Sequence, residues 1–369
     1  MELKDADYYD FKEKENTDET VYVVKEKGHG GKGFLIVGLI LFLLAATMLA
    51  VVFIYAGIGL AHTKEAEEVT YTQAEVDSLV SEAEKTARSE TIAEKTTEFA
   101  ATLFNAANED AGILNLLREN FPDQVIYIYG TRYEFYPINY DLKQNTIDNA
   151  DLIKDEETGC IAYAPDGKIK SHKMVDVSSF QKDIDWEAVA AGGVEYAMIR
   201  CGFRGYESGK LVEDPYFQAN IEGATKAGIK VGVYFFSQAL DAAEAAEEAE
   251  FTLELIAPYK ITLPVAIDVE DVSATARTDV LNGAEISDNS VVFMERIKAA
   301  GYDTMIYSNA KYFIKVLEME KLENYDKWYA FYNDTIYFPY EIAVWQYTNE
   351  AYVDGIGSGV DMDITFKEW

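Results

Sequence analysis

The stretches that decide the fold are IKVGVYFFS (229–237), DAAEAAEEAEFTLELIAP (241–258) and LPVAIDVE (263–270). The first and the third are short, apolar and rich in β-branched and aromatic residues, which is typical of buried strands. The stretch between them is rich in Ala and Glu, which favour a helix. A strand, a helix and a second strand in this order predict a parallel βαβ unit.

Six further apolar runs flank this unit, and helical stretches separate the earlier ones. The runs are MVDVSSF (174–180), VEYAMIRCGF (194–203), YDTMIYSN (302–309), KWYAFYN (327–333), IAVWQYT (342–348) and VDMDITF (360–366). Eight runs with crossover helices that become sparse near the end predict an α/β barrel over residues 174–369. In such barrels the carboxyl ends of the strands carry the site.

Two acids follow one of these runs two positions apart. Asp268 and Glu270 point to the same side of an extended chain, whereas Val269 points to the other. Two close carboxyl groups beside apolar residues raise one another's pKa, so that one stays protonated and can donate a proton. Cleavage of a glycosidic bond needs such a donor and a second carboxylate. The alternative is that these acids are hydrogen-bonded surface residues.

The N-terminal part of the chain predicts a membrane anchor. No charged residue occurs from Phe34 to Leu60, which is longer than the roughly 20 apolar residues that cross a bilayer. Lysines precede this run, at positions 25, 27 and 32, and the positive-inside rule then places the N-terminus in the cytoplasm. We therefore expect a disordered cytoplasmic tail (1–33), a single transmembrane helix in the lipid bilayer (34–61) and an extracellular remainder at the surface of a Gram-positive cell.

Residues 62–173 predict an extracellular stalk with a helix and small β hairpins. Val76, Leu79, Val80 and Ala83 recur at helical spacing, which leaves open either a weak coiled-coil dimer or a solvated helical spacer. Two turn signals, at Gly130-Thr131 and at 164–167, indicate the hairpins. Whether Cys160 and Cys201 form a disulfide is also open.

The composition excludes several classes of function. The formal net charge of -33 repels phosphate backbones, so we expect no nucleic-acid partner. Three histidines and two cysteines leave little material for a zinc site or for a Ser-His-Asp triad. We expect neither a metal nor a cofactor.

The barrel region resembles the glycoside hydrolase family 25 muramidases. The motifs that carry the resemblance are DVSSFQ (176–181), IDW (184–186), YAMIR (196–200), VGVY (231–234), IDVE (267–270), IYSN (306–309), WQY (345–347) and VD (360–361). The resemblance implies an incomplete TIM-like (β/α)5β3 barrel that hydrolyses the β-1,4 bond between N-acetylmuramic acid and N-acetylglucosamine in peptidoglycan glycan strands.

The resemblance also implies roles for residues of this chain. Glu270 matches the general acid, and Asp268, Asp176 and Asp361 match the other catalytic acids. The chain departs from the family at Asp363, where an Asn is usual. A catalytically silent module that binds the cell wall is the alternative function. The residues that match substrate-binding positions, or that end a strand beside them, are Arg200, Tyr234, Tyr307, Trp345 and Gln346.

Overall fold

The computed structural model describes residues 72–106, 112–129, 132–272 and 275–369. The chain divides into two compact units between Leu116 and Leu117. Of the first unit, the structure describes helix α1 (Gln73–Ala106) and the start of α2 (Gly112–Asn120). Thr72 and Glu75 cap α1 reciprocally, because the Glu75 carboxylate accepts from the Thr72 N–H at 2.7 Å while the Thr72 hydroxyl accepts from the Glu75 N–H at 3.3 Å. The predicted dimerisation through this segment stays a prediction.

The second unit contains thirteen strands among its described residues, and helices follow the early strands of the barrel. The strands are β1 (Gln124–Tyr129), β2 (Arg132–Pro137), β3 (Leu152–Lys154), β4 (Ile161–Tyr163), β5 (His172–Val177), β6 (Tyr196–Arg204), β7 (Leu211–Glu213), β8 (Lys230–Phe236), β9 (Val265–Asp268), β10 (Thr304–Asn309), β11 (Asp326–Ala330), β12 (Val344–Ala351) and β13 (Val360–Thr365). The helices are α3 (Trp186–Ala191), α4 (Phe217–Lys226), α5 (Ala242–Ile256), α6 (Gly283–Ala299), α7 (Ala310–Lys315) and α8 (Met319–Leu322).

Eight of these strands form a barrel. Their order around it is β5, β13, β12, β11, β10, β9, β8 and β6, and the pairing of β5 with β6 closes the ring. The short strand β7 pairs antiparallel with the end of β6. Neighbouring barrel strands that a helix connects run parallel. The helix carries the chain back to the end of the sheet where the first strand began, which parallel pairing needs.

The predicted fold class needs a correction, because the barrel is not incomplete. β13 closes it by pairing antiparallel with both β12 and β5. Only residues 352–359 connect β12 to β13, and a parallel return needs a crossover of a dozen or more residues. The short connection therefore makes β13 antiparallel to its neighbours. Its pairing completes the hydrogen bonding of the edges that β12 and β5 would otherwise expose.

The prediction also included a membrane-spanning helix. No helix in the described part of the chain is long and apolar enough to cross a membrane. Residues 34–61, to which the prediction assigned the span, lie outside the described residues.

Side chains that alternate along each strand build two layers. One set packs between the barrel and its helices, for example Val175, Ile199, Val233 and Ile267, all with at most 1% of their surface exposed. The other set fills the barrel interior; its members include Met174, Met198, Ala266, Met305 and Trp328. The interior is apolar in its lower part, and polar side chains begin toward the carboxyl ends of the strands, where the site lies.

Residues 117–173 pack against the barrel side of the same unit. Leu142 and Ile161 belong to its hydrophobic core. The segment between β11 and β12 receives hydrogen bonds from this region, among them Asn145 N–H to Pro339 O at 2.7 Å and Asn149 Nδ2 to Ile336 O at 2.9 Å. Cys160 and Cys201 do not form a disulfide.

Candidate active site

A cavity of about 300 Å³ opens at the carboxyl ends of the barrel strands. Acidic side chains line it from strands that are far apart in the sequence, and aromatic rings form much of its wall. The acids are Asp176, Asp268, Glu270, Glu350 and Asp361. The aromatic residues are Phe180, Tyr234, Phe236, Tyr307, Trp328 and Tyr332. Flat rings among carboxyl groups suit a sugar chain, whose faces are apolar and whose edges carry hydroxyl groups.

Asp268 ends β9 and Glu270 follows it by two residues, and both side chains line the cavity. Asp268 is buried, with 5% of its surface exposed, whereas Glu270 is half-buried. Neighbouring strands fix the backbone between them, because Ser237 N–H donates to the Asp268 carbonyl at 2.9 Å and Ser308 Oγ donates to the Val269 carbonyl at 2.5 Å. The two carboxyl groups therefore have a rigid support.

Asp176 lies at the centre of a hydrogen-bond network. Gln346 Nε2 donates to Asp176 Oδ2 at 2.8 Å. The side-chain oxygen Oε1 of Gln346 accepts from the hydroxyls of Tyr307 and Tyr332, each at 3.0 Å. Burial raises the pKa of the Asp176 carboxyl well above its usual value; Asp363 and Asp268 raise it further, while the Gln346 amide lowers it. Burial also raises the pKa of Tyr307, so its hydroxyl stays a donor.

Asp361 and Asp363 differ in depth although both lie on β13. Asp361 pairs in register with Asp176 and lines the cavity half-buried. Asp363 lies two residues deeper and is fully buried, with 0% of its surface exposed. Trp328 Nε1 donates to its Oδ1 at 2.6 Å. Burial raises the pKa of Asp363 well above its usual value, and Asp361 adds to the rise.

Arg200 lines the cavity, and the buried carboxylate of Asp214 compensates its charge. Its Nη2 and Nε both lie 2.8 Å from Asp214 Oδ2, and Nη2 donates to Ser179 Oγ at 3.1 Å. Asp214 also accepts from the backbone N–H groups of Ser179 and Tyr216. The side chain of Asp214 is fully buried, so this ion pair is a fixed part of the cavity floor.

Residues 175–356 match the family model described as glycosyl hydrolases family 25. This part of the chain is therefore similar to the family 25 glycosyl hydrolases. The match confirms the enzyme class that the sequence predicts, a glycoside hydrolase. It covers the strands that supply Asp176, Asp268 and Glu270, and it ends just before β13, which supplies Asp361.

Curated relatives align over the same part of the chain. The chain is 27% identical over 197 residues to the autolytic lysozyme of Clostridium acetobutylicum, an alignment that covers 52% of this chain and 55% of that protein. It is 26% identical over 198 residues to the protein YegX of Escherichia coli K12, covering 52% of this chain and 68% of that protein. The chain thus spans only about half the length of the Clostridium lysozyme.

Solved structures of similar proteins are more distant. The modular autolysin LytC of Streptococcus pneumoniae, solved with a synthetic peptidoglycan ligand, has a TM-score of 0.49 at 22% identity, covering 66% of this chain and 56% of that one. A lysozyme from Streptomyces coelicolor has a TM-score of 0.45 at 23% identity, covering 53% of this chain and 93% of that one.

The barrel brings together eight of the nine site residues expected from the sequence. The exception is Trp345, which does not line the cavity. Its neighbour Gln346 points into the barrel, so Trp345 points outward by strand alternation, and its Nε1 donates to the Phe331 carbonyl at 2.9 Å. The eight residues that line the cavity are Asp176, Arg200, Tyr234, Asp268, Glu270, Tyr307, Gln346 and Asp361.

Sequence reasoning missed Trp328, Tyr332 and Asp214. Trp328 forms the cavity wall, with ring centroids 4.7 Å from Tyr307 and 5.9 Å from Tyr234. The run KWYAFYN contains four aromatic side chains in five positions, so its apolar pattern alone does not show which of them point into the barrel. For Asp214 the sequence did carry a signal, since an acid before Pro215 and a helical stretch is a typical helix start.

Proposed function

We propose that this protein is a muramidase, which hydrolyses the β-1,4 bond between N-acetylmuramic acid and N-acetylglucosamine in peptidoglycan. The observation that carries the proposal is the convergence of Asp268, Glu270, Asp176 and Asp361 on one aromatic-walled cavity. The family assignment and the lysozyme among the relatives support the substrate.

Glu270 acts as the general acid in this proposal. It is the half-buried acid that directly follows a rigid strand, so its carboxyl reaches a bound glycan while the barrel holds its backbone. Glu270 protonates the leaving oxygen as the glycosidic bond breaks, and the buried Asp268 stabilises the positive charge that develops on the sugar ring. Water then adds its oxygen to the anomeric carbon and returns a proton to Glu270. Tyr234, Tyr307 and Trp328 supply the wall along which the glycan packs.

The proposed substrate also determines where the enzyme acts. Peptidoglycan lies outside the cytoplasmic membrane, so we propose that the barrel domain lies on that side. Protease added to intact protoplasts is then expected to degrade the domain. Degradation only after lysis of the protoplasts would contradict this location.

The test of the activity is the substitution Glu270→Gln. Glutamine keeps the size of the side chain but cannot supply the proton, and loss of general acid catalysis costs about 10²–10⁴-fold in rate. We expect folded protein with at least that loss of kcat on purified peptidoglycan, and new reducing ends on muramic acid in the wild-type digest. The matched control is Glu254→Gln, because Glu254 is an exposed residue of α5 and does not line the cavity.

Two results would contradict the assignment. Wild-type turnover by the Glu270→Gln variant would remove Glu270 from the role of acid, and reducing ends on glucosamine would make the enzyme a glucosaminidase. Binding of peptidoglycan without any cleavage by the wild type would favour the alternative function, a silent module that binds the cell wall.

A further inference from the structure

One further carboxyl group, that of Asp363, lies directly beneath the cavity and has no role in the chemistry described so far. Asp363 is fully buried in the barrel interior. Its Oδ1 accepts the Trp328 indole N–H, while its Oδ2 is buried without a hydrogen-bond donor among the described residues. A buried carboxylate with only one donor is costly, because desolvation disfavours the charged form unless another group compensates it.

The groups that surround Asp363 bring no positive charge. Asp176 lies diagonally across from Asp363 on the adjacent strand β5, where its register partner is Asp361. Asp361 lies two residues from Asp363 on β13, and Gln346 is the register partner of Asp363 on β12. Neither Asp176 nor Asp363 forms an ion pair with a Lys, Arg or His in the described part of the chain. Arg200, the cation that lines the cavity, is held by Asp214.

The carboxyl groups of Asp176 and Asp363 each already accept one N–H hydrogen bond. The Gln346 amide donates to Oδ2 of Asp176, and the Trp328 indole N–H donates to Oδ1 of Asp363. Two carboxylates buried side by side without a cation cannot both be ionised at neutral pH, so one proton remains between them. The remaining oxygens are the place for that proton.

We propose that Asp363 is a positioning residue of the active site, which shares one proton with Asp176 and fixes the indole of Trp328 in the cavity wall. The substrate-related part of this proposal rests on the muramidase function, whereas the proton and the indole contact do not. Asparagine at position 363 would keep an acceptor for the Trp328 indole N–H but could not share a proton with Asp176.

The shared proton is tested by infrared spectroscopy of protein labelled with carbon-13 aspartate, at about neutral pH and without substrate. The wild type is expected to show the carbonyl band of one protonated aspartic acid, and Asp363→Asn is expected to lose that band. Glu270→Gln is the control and keeps it, because the label excludes glutamate. Absence of the band in the wild type, or its survival in Asp363→Asn, would overturn the shared proton.

The pH dependence of stability gives a second readout. The folded pair holds its proton to higher pH than two unfolded aspartates, so the wild type loses stability as pH rises from the unfolded pKa of about 4 toward the raised folded value. The Tm of the wild type should therefore fall relative to that of Asp363→Asn as the pH rises above about 5. A constant difference in Tm over this range would contradict the proposal.

The contact with Trp328 is tested with Asp363→Leu, which fills similar space but accepts no hydrogen bond. Hydrogen exchange of the Trp328 indole N–H, assigned with Trp328→Phe, should become about tenfold faster in the Leu variant and stay unchanged in Asp363→Asn. KM for peptidoglycan fragments should rise in the Leu variant only. Equal exchange rates in all three proteins would overturn the positioning role, and the exchange measurement stands even if the muramidase function fails.

Discussion

Asp214 shows how a residue outside the cavity can decide what a cavity residue does. Arg200 lines the cavity and forms an ion pair with the fully buried Asp214 behind it. The sequence marks Asp214 as the start of a helix, but not its pairing with Arg200, because the antiparallel pairing of β7 with β6 returns Asp214 to Arg200 only in the folded protein.

Removal of the Asp214 charge, the buried partner of Arg200, should lower the free energy of unfolding far more than removal of an exposed partner. Asp214→Asn leaves the Arg200 charge uncompensated and is expected to lower the free energy of unfolding by about 3–5 kcal/mol. The control is Glu187→Gln, which breaks an ion pair with Lys226 whose side chains are 76% and 80% exposed, and should cost at most about 1 kcal/mol. Urea denaturation measures both, and equal losses would count against a structural role for Asp214.

At the scale of elements, α3 and α4 approach so closely that one position tolerates only glycine. A Cβ atom on Gly223 of α4 would lie 2.3 Å from Cδ1 of the buried Trp186 on α3. Helix propensity alone favours alanine at this position by about 1 kcal/mol. The sequence predicts the helix correctly, but the packing that reverses the local preference exists only in the folded barrel.

Gly223→Ala is therefore expected to destabilise the protein despite its better helix propensity. The added methyl must displace the Trp186 ring, and overpacking of a core costs about 1–3 kcal/mol. Gly357→Ala is the control, because nothing lies within 4 Å of its added Cβ atom and the change should be neutral or slightly stabilising. The measurement is the urea midpoint, and a midpoint for Gly223→Ala at or above that of the wild type contradicts the packing argument.

For the whole molecule, the order of strands and helices could be predicted from hydrophobic runs, whereas the closure of the barrel could not. Alternation within VDMDITF shows that its three polar positions share a face, but nothing in the run shows that β13 runs antiparallel to β12 and β5. The same limit applies to the site: Asp268 and Glu270 are local neighbours, while the contact of Asp176 with Gln346 joins residues 170 positions apart.

The residues that precede the barrel should contribute to its stability. Leu142 and Ile161 are 8% and 4% exposed in the common core, and burial of each stabilises by about 1.5–3 kcal/mol. A chain that starts at residue 172 is expected to lose about 3–6 kcal/mol of unfolding free energy relative to one that starts at residue 112. Denaturation of the two fragments in urea measures the difference, and coincident transitions would show that residues 112–171 add nothing.

The pairing of the first barrel strand with the last has a consequence during synthesis of the protein. Asp176 and Asp361 are partners across the junction of β5 and β13, so the cavity has its full set of acids only when both strands are present. A ribosome that adds about 5–20 residues per second makes β13 many seconds after β5. The nascent chain therefore cannot cut glycan until its final strand has emerged, and an interrupted translation product lacks a complete site.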